Sequence, residues 1–334
     1  MKYRAALIGC GKIGSEFADD PRINGIFSHT GAYIACPKTD LIAICDSDIE
    51  KAEGCRKRWN LDHTYTDYNW MIQNEKPDIV SICTPDNTHA NIIIDLLKSD
   101  NLKAIIAEKP LATNLKQAIL ITKEAFQKKI TLAVNYTRRF DPAHQNVKKM
   151  IMSGKIGDVQ VINAYYSKGT LHNGTHIFDL ARFLVGEIVA VRGFQNFLEE
   201  NEDPTISAYA TFQSGAIGFF YACDETSFTI FEMDIIGKKG RIKILESGNV
   251  IEIYNVTDDP FYSGYKGLSK NSQFKGMNNI LLHVVEDVVE SIENNRNPLC
   301  CGDDAVIALR IAFAIKQSAC NNNRLTNIIP EYEC

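Results

Sequence analysis

Short, nearly continuous apolar runs recur through the first part of the chain, at residues 3–8, 41–45, 79–83, 104–107 and 131–134, with longer, more polar stretches between them. Runs of this length without alternation suit strands buried on both faces, and their regular spacing predicts a βαβ alternation with a parallel sheet. Past Asp158 the pattern changes. Residues 159–166, 188–197, 206–212, 216–222, 229–236, 240–245 and 250–254 form longer, alternating, aromatic-rich runs joined by turns such as Gln213-Ser214-Gly215 and Lys238-Lys239-Gly240. These predict a large, mainly antiparallel open sheet whose two faces differ in polarity. Residues 279–293 and 303–319 carry apolar positions at helical spacing and predict two late amphipathic helices that pack against one of the domains.

The expected fold class is therefore α/β. A doubly wound parallel sheet of the Rossmann type occupies residues 1–135, and an α+β domain for substrate binding and oligomerisation occupies residues 136–334. With 45% hydrophobic and 23% charged residues over 334 positions, disorder is excluded and two cores can be filled. The net charge of −5 gives no basic field for nucleic acid. No apolar stretch reaches the roughly 18 residues that span a bilayer, and the N-terminus enters a strand at once, so the expected compartment is the cytoplasm. Ten cysteines, among them Cys10, Cys45 and Cys83 in buried runs, show no paired spacing for zinc, and no metal is expected.

Gly9-Cys10-Gly11-Lys12-Ile13-Gly14 directly follows the first apolar run. A glycine-rich turn between a buried strand and a helix lets a pyrophosphate approach the backbone, which makes Gly9, Gly11, Lys12, Ile13 and Gly14 candidate dinucleotide contacts. Asp46 ends the second run, where a carboxylate accepts ribose hydroxyls and repels an added phosphate, so NAD is expected over NADP. Asp46 follows Gly14 by 32 residues, further than the usual roughly 20. Residues 19–30 look inserted, and their Asp-Asp-Pro and Asn-Gly steps predict a surface excursion rather than a lid.

Further motifs lie at the ends of later strands. Thr84-Pro85-Asp86-Asn87-Thr88-His89 follows the third run and Glu108-Lys109-Pro110 follows the fourth; Asn135, Arg139-Phe140, Pro142 and Gly154-Lys155-Ile156-Gly157 come next, and Asp303-Asp304-Ala305 stands near the C-terminus. In these residues the chain resembles, along essentially its whole length, the glucose-fructose oxidoreductase, inositol dehydrogenase and MocA family. The resemblance implies a Thr-Pro turn flanking a nicotinamide and a lysine that touches substrate beside the transferred hydride. It thereby adds Thr84, Pro85, Asn87, His89, Glu108 and Lys109 to the cofactor side, with Lys109 also catalytic. It also implies a homodimer or homotetramer. A surface lysine is the bland alternative at 109.

His172-Asn173-Gly174-Thr175-His176-Ile177-Phe178-Asp179 places two histidines four apart. An imidazole titrates near neutrality and can take an alcohol proton. The resemblance singles out His176 as the base, with Asp179 three residues on, and leaves His172 where an acid or amide is common; structural histidines are the alternative for both. Tyr136, Arg138, Arg139, Tyr166, Lys168, Asn173 and Asp179 are candidate substrate contacts for a sugar-like small molecule, with a salt bridge between domains as the alternative for Arg139. The expected activity is NAD-dependent oxidation of a ring secondary alcohol of a sugar, cyclitol or nucleotide-linked sugar. A non-catalytic dinucleotide-binding sensor and an imine or enone reductase stand as alternatives.

Overall fold

A computed structural model describes residues 2–195, 202–226 and 228–328. The apolar runs of the first part become β1 (Tyr3–Ile8), β2 (Thr39–Cys45), β4 (Ile79–Ile82), β5 (Ala104–Ala107) and β6 (Thr131–Val134), with the short β3 (His63–Tyr65) added. Between them lie α1 (His29–Ala35), α2 (Ile49–Trp59), α3 (Tyr68–Glu75), α4 (His89–Leu96) and α5 (Leu115–Gln127). The strands are all parallel in the order β3-β2-β1-β4-β5-β6, the doubly wound arrangement that the continuous apolar runs predict. Ala5, Leu7, Ile79, Ile105 and Val134 are fully buried, as strands covered on both faces require. Side chains of Asp48, Asp67 and Asn114 accept the first free N–H groups of α2, α3 and α5 and fix where those helices start.

The later chain supplies α6 (Pro142–Met152), β7 (Val159–Tyr166), α7 (Thr175–Val185), β8 (Ile188–Phe194), β9 (Ser207–Phe212), β10 (Ile217–Ala222), β11 (Phe231–Gly237), β12 (Gly240–Leu245), β13 (Val250–Asp258), β14 (Lys266–Lys275), α8 (Ile280–Asn294), α9 (Gly302–Cys320) and β15 (Thr326–Asn327). The expected strand over 188–197 ends at Phe194; its residues 196 and 197 lie outside the described residues, as do residues 329–334 of the expected second domain. The nine strands run in the order β14-β13-β12-β11-β7-β10-β9-β8-β15, antiparallel throughout except for the parallel pair β7 and β10. One face buries Ile162, Ala164, Phe220, Met233, Ile235 and Ile244 together with Phe178 and Ala181 of α7. The other face exposes Tyr165, Phe219 and Tyr221, with Tyr165 stacked on Tyr221 at 5.3 Å between ring centres.

Two compact units divide the chain. The first holds Met1–Phe140 and Asn278–Val306, the second Asp141–Met277 and Ile307–Cys334. The expected division at 135/136 thus gains a return segment. Its physical reason is the open edge of β6: Cys301 forms an antiparallel bridge to Ala133, and the Val134 N–H donates to the Cys300 carbonyl at 3.1 Å. An unpaired strand edge carries unsatisfied backbone groups, and this segment supplies their partners. Arg139 belongs to the same closure. It is buried, pairs with Asp304 at 3.0 Å and donates to the Leu299 carbonyl at 3.4 Å. Both partners lie in the first unit, so the expected pair between domains is instead internal to one, and the guanidinium is taken up by structure rather than offered to substrate.

Candidate active site

The three glycines of the first turn meet three different constraints. Gly9 has φ +98°, and a Cβ there would lie 2.5 Å from the Cys83 carbonyl oxygen, so the turn is pressed against the end of β4. A Cβ on Gly14 would lie 2.1 Å from the Gly9 carbonyl oxygen. At Gly11 nothing stands within 4 Å, and its backbone faces an open cleft. Tight turn, close packing and open approach are the three features that a pyrophosphate cradle needs.

The helix expected after this turn is interrupted. A single turn of 3₁₀ helix over Glu16–Asp19 is followed by a loop, and α1 begins only at His29, capped by the Ser28 side chain. In an unbroken helix the carbonyl of Ile13 would receive the N–H of residue 17; here it receives that of His29 at 3.0 Å, and the Gly14 carbonyl receives that of Thr30 at 3.0 Å. The chain therefore leaves the helix, runs twelve residues and resumes it in register. Subtracting those residues restores the customary spacing of about 20 between Gly14 and Asp46. The excursion is fastened rather than loose: Arg58 and Trp59 each donate to Ser15 Oγ at 2.9 Å, and the Ile26 N–H donates to Asn279 Oδ1 at 3.0 Å. Residues 28–30, expected in the surface excursion, are buried as the start of α1.

A cleft of about 870 Å³ opens at the carboxyl ends of β1, β2 and β4. Gly9, Gly11, Asp46, Thr84, Pro85 and Asn87 line it. Asp46 Oδ2 accepts the Cys10 N–H at 2.8 Å and Oδ1 accepts the Asp48 N–H at 3.0 Å, which aims the carboxylate from the glycine turn. Asp48, Asp67 and Tyr68 also border the cleft, with Lys51 as its neighbouring cation. Of the other expected cofactor residues, Lys12 is exposed and Ile13 half-buried. His89 is not at the surface at all. It is fully buried, with its ring nitrogens 2.8 Å from the carbonyl oxygens of Pro110 and Thr84, so it ties together the two turns that carry Thr84-Pro85 and Lys109-Pro110. That is a bracing role rather than ligand contact.

Glu108 is likewise withdrawn. Its Oε1 accepts from His29 Nε2 at 3.0 Å and from Asn135 Nδ2 at 2.5 Å. His29 Nδ1 lies 2.9 Å from Ser81 Oγ, which lies 2.6 Å from the Tyr33 hydroxyl. Burial alone would push the Glu108 carboxyl up. The hydrogen bonds from His29 and the Asn135 amide, with the charge of Lys109, outweigh it and hold the group below the usual carboxylate range. Lys109 is half-buried and next to this anion. Tyr136 is buried and Arg138 half-buried on the turn that follows Asn135. Sequence reasoning missed His29, Ser81 and Tyr33, because nothing local marks a helix residue that reaches two strands away.

In the second unit the histidine segment opens with a π turn, Gly169–Gly174, before α7. Asp203 holds this turn: its carboxylate accepts the N–H groups of Leu171 and His172 at 2.9 Å. A Cβ on Gly169, φ +80°, would lie 2.2 Å from Asp203 Oδ2. Asp203 was not among the expected residues, and its approach to the turn leaves no trace in spacing. His172 is exposed, whereas His176 is half-buried with its ring edge-on to Phe231 at 6.4 Å. Lys168 is exposed in a left-handed conformation, φ +69°. Asn173 donates to the Ser167 carbonyl at 2.8 Å. Two expected substrate contacts lie in the interior instead. Tyr166 is fully buried, donates to the Ile206 carbonyl at 2.6 Å and packs edge-on to Phe178. Asp179 is buried with Arg182 at 3.8 Å. Among the described residues, no group of three or more His, Cys, Asp or Glu side chains is placed to hold a metal ion.

Two family models match the chain: the oxidoreductase family with an NAD-binding Rossmann fold, GFO_IDH_MocA, over residues 3–136, and the C-terminal alpha/beta domain of the same family over residues 167–326. The chain belongs to this family. Both of its domains are thus represented, and the glycine turn with the Asp46 cleft falls within the first. Among relatives, the myo-inositol 2-dehydrogenase of Thermotoga maritima is 24% identical over 94% of this chain and 96% of its own length. The scyllo-inositol 2-dehydrogenase (NAD(+)) of Bacillus subtilis is 25% identical over 95% and 94%. A levoglucosan dehydrogenase solved with NADH and levoglucosan shares the fold, with a TM-score of 0.83, 20% identity, and coverage of 99% of this chain and 100% of that one. The protein is an oxidoreductase with a nicotinamide dinucleotide cofactor, and the open Gly11 backbone beside a fixed Asp46 carboxylate fits that cofactor.

No helix among the described residues is long and apolar enough to cross a membrane.

Proposed function

We propose that the protein is an NAD-dependent dehydrogenase that reversibly oxidises a ring secondary alcohol of a sugar, a cyclitol or a nucleotide-linked sugar. The observation that carries this reading is the cleft at the strand ends, where Gly11 is open, Asp46 is aimed by two backbone N–H groups and Thr84-Pro85 forms the wall. Two relatives along nearly the full length are inositol dehydrogenases, which supports a polyol substrate. Asp46, with Asp48 and Asp67 nearby, favours a free ribose hydroxyl and disfavours an additional phosphate, which supports NAD over NADP.

When bound, the nicotinamide ring supplies the acceptor for the hydride. Lys109 donates a hydrogen bond to the reacting oxygen and offsets the charge that develops on it. His176 takes the alcohol proton, and His172, four residues earlier on the turn held by Asp203, is a second imidazole for the same acid–base work. Arg138, Tyr136, Lys168 and Asn173 are the remaining polyol contacts in this reading. The exposed aromatic face of the second sheet meets a second copy of the chain, since such a surface is costly in water. Light scattering at several concentrations checks this, and a monomer at all of them removes it.

The test of the activity is NADH fluorescence with myo-inositol, scyllo-inositol and apiose in turn. Formation of NADH with at least one is expected. Binding of NADH without turnover on any polyol would favour a sensor instead.

A further inference from the structure

The polar chain behind Lys109 has a direction. Tyr33, Ser81, His29 and Glu108 are all withdrawn from water, and the successive contacts are 2.6, 2.9 and 3.0 Å. Tyr33 lends its proton to Ser81, Ser81 lends its own to His29 Nδ1, and His29 then carries its single proton on Nε2, aimed at Glu108. Every donor finds an acceptor in this order, provided that Glu108 is an anion. In the reverse order the Tyr33 proton is left over. The chain therefore fixes one tautomer of His29 and one charge on Glu108, with Asn135 supplying the second donor at 2.5 Å.

Resting on the dehydrogenase reading, we propose that His29 is a positioning residue for Lys109: by holding Glu108 ionised it keeps a fixed buried anion beside the lysine, which enters the reaction as an ammonium donor and not as the base. The interruption of the first helix matters here, because the chain returns in register after twelve residues and so delivers His29 beneath the strand ends. Cys83 at the end of β4 lies in the field of Glu108, and burial pushes its thiol up. Cys83 and Cys36 act on Tyr33, and His89 reaches the neighbouring turn through the Pro110 carbonyl. On α8, Asp287 is taken up by Arg296 and the Leu299 N–H, and His283 pairs with Glu286.

The test reads Lys109 without turnover. Lysines are reductively methylated with isotope-labelled formaldehyde, the Lys109 signal is assigned by its loss in Lys109→Arg, and its NMR shift is followed with pH in the full-length protein. Glu108→Gln should lower the Lys109 titration by at least about one pH unit, the small end of the effect of removing an adjacent opposite charge. His29→Leu, which removes the donor and keeps water out, should add a second inflection from Glu108 at least about one unit above any carboxyl inflection of the wild type. His29→Gln, which restores an N–H donor, should suppress it, and the double variant His29→Leu with Glu108→Gln should lack it. If His29→Leu does not fold, Ser81→Ala frees the tautomer and should move the Glu108 inflection in the same direction by less. An unchanged Lys109 titration in Glu108→Gln would overturn the proposal, as would His29→Leu or its substitute without a new inflection. Because no polyol is involved, failure of the dehydrogenase reading is seen separately, as NADH binding by the wild type without turnover on any polyol.

Discussion

In the parallel sheet of the first unit, Ser81, Glu108 and Asn135 are withdrawn from water and bonded to α1 or to one another, whereas the nine-stranded sheet carries Asp234, Arg241 and Tyr221 on its open face. A buried polar group that loses its partner loses both the bond and the water it gave up, while an exposed one recovers water at once. The same chemical change should therefore cost much on one sheet and little on the other.

The largest effect is expected at Gly9. Alanine there meets the Cys83 carbonyl in a left-handed backbone, so Gly9→Ala should lose about 3 kcal/mol or more in urea unfolding, from overpacking and backbone strain together. Glu108→Leu comes next, because His29 and Asn135 are left with donors and no acceptor; about 2–4 kcal/mol is expected in the same measurement. Asp46→Ala should weaken NAD binding by about tenfold or more and narrow its advantage over NADP, as the loss of a charge-assisted hydrogen bond of about 1.5–3 kcal/mol implies; titration of both cofactors checks it. Asp234→Ala on the open sheet should cost about 1 kcal/mol or less, and Tyr221→Ser should fall within about 0.5 kcal/mol in a monomer. A large loss at Tyr221 would mean that a second chain covers it.

Acid sharpens the contrast. The folded Glu108 carboxyl is held below its unfolded range, so its contribution to stability is complete above the unfolded value of roughly 4.3 and is lost as pH falls through the folded one. Unfolding curves between neutral and strongly acidic pH should fall less steeply for Glu108→Gln than for the wild type. Equal slopes would show that the buried carboxylate carries no such linkage.

The parallel strands could be read almost residue by residue, since β1, β5 and β6 coincide with their apolar runs and burial on both faces leaves no other pattern. β14 could not. Lys266–Lys275 is almost wholly exposed and polar, and it is a strand because β13 offers it a backbone edge, a reason that lies in its partner. The site divides the same way. Gly11 and Asp46 carry their chemistry in spacing after a strand, Thr84 entered through the family resemblance, and the structure lines a cleft with all three. Tyr166 and Asp179 have residue types that suit a sugar, but their hydroxyl and carboxylate satisfy the core around α7. His29 stayed hidden because an excursion separates it from the glycines whose helix it continues.

The most direct test compares wild type and Lys109→Ala in NADH binding and in NAD reduction by whichever ring polyol the wild type oxidises. The account predicts matched NADH affinity with turnover slower by about 10²-fold or more in the variant, the low end for a group that acts on the reacting oxygen. Undiminished turnover in Lys109→Ala would contradict it.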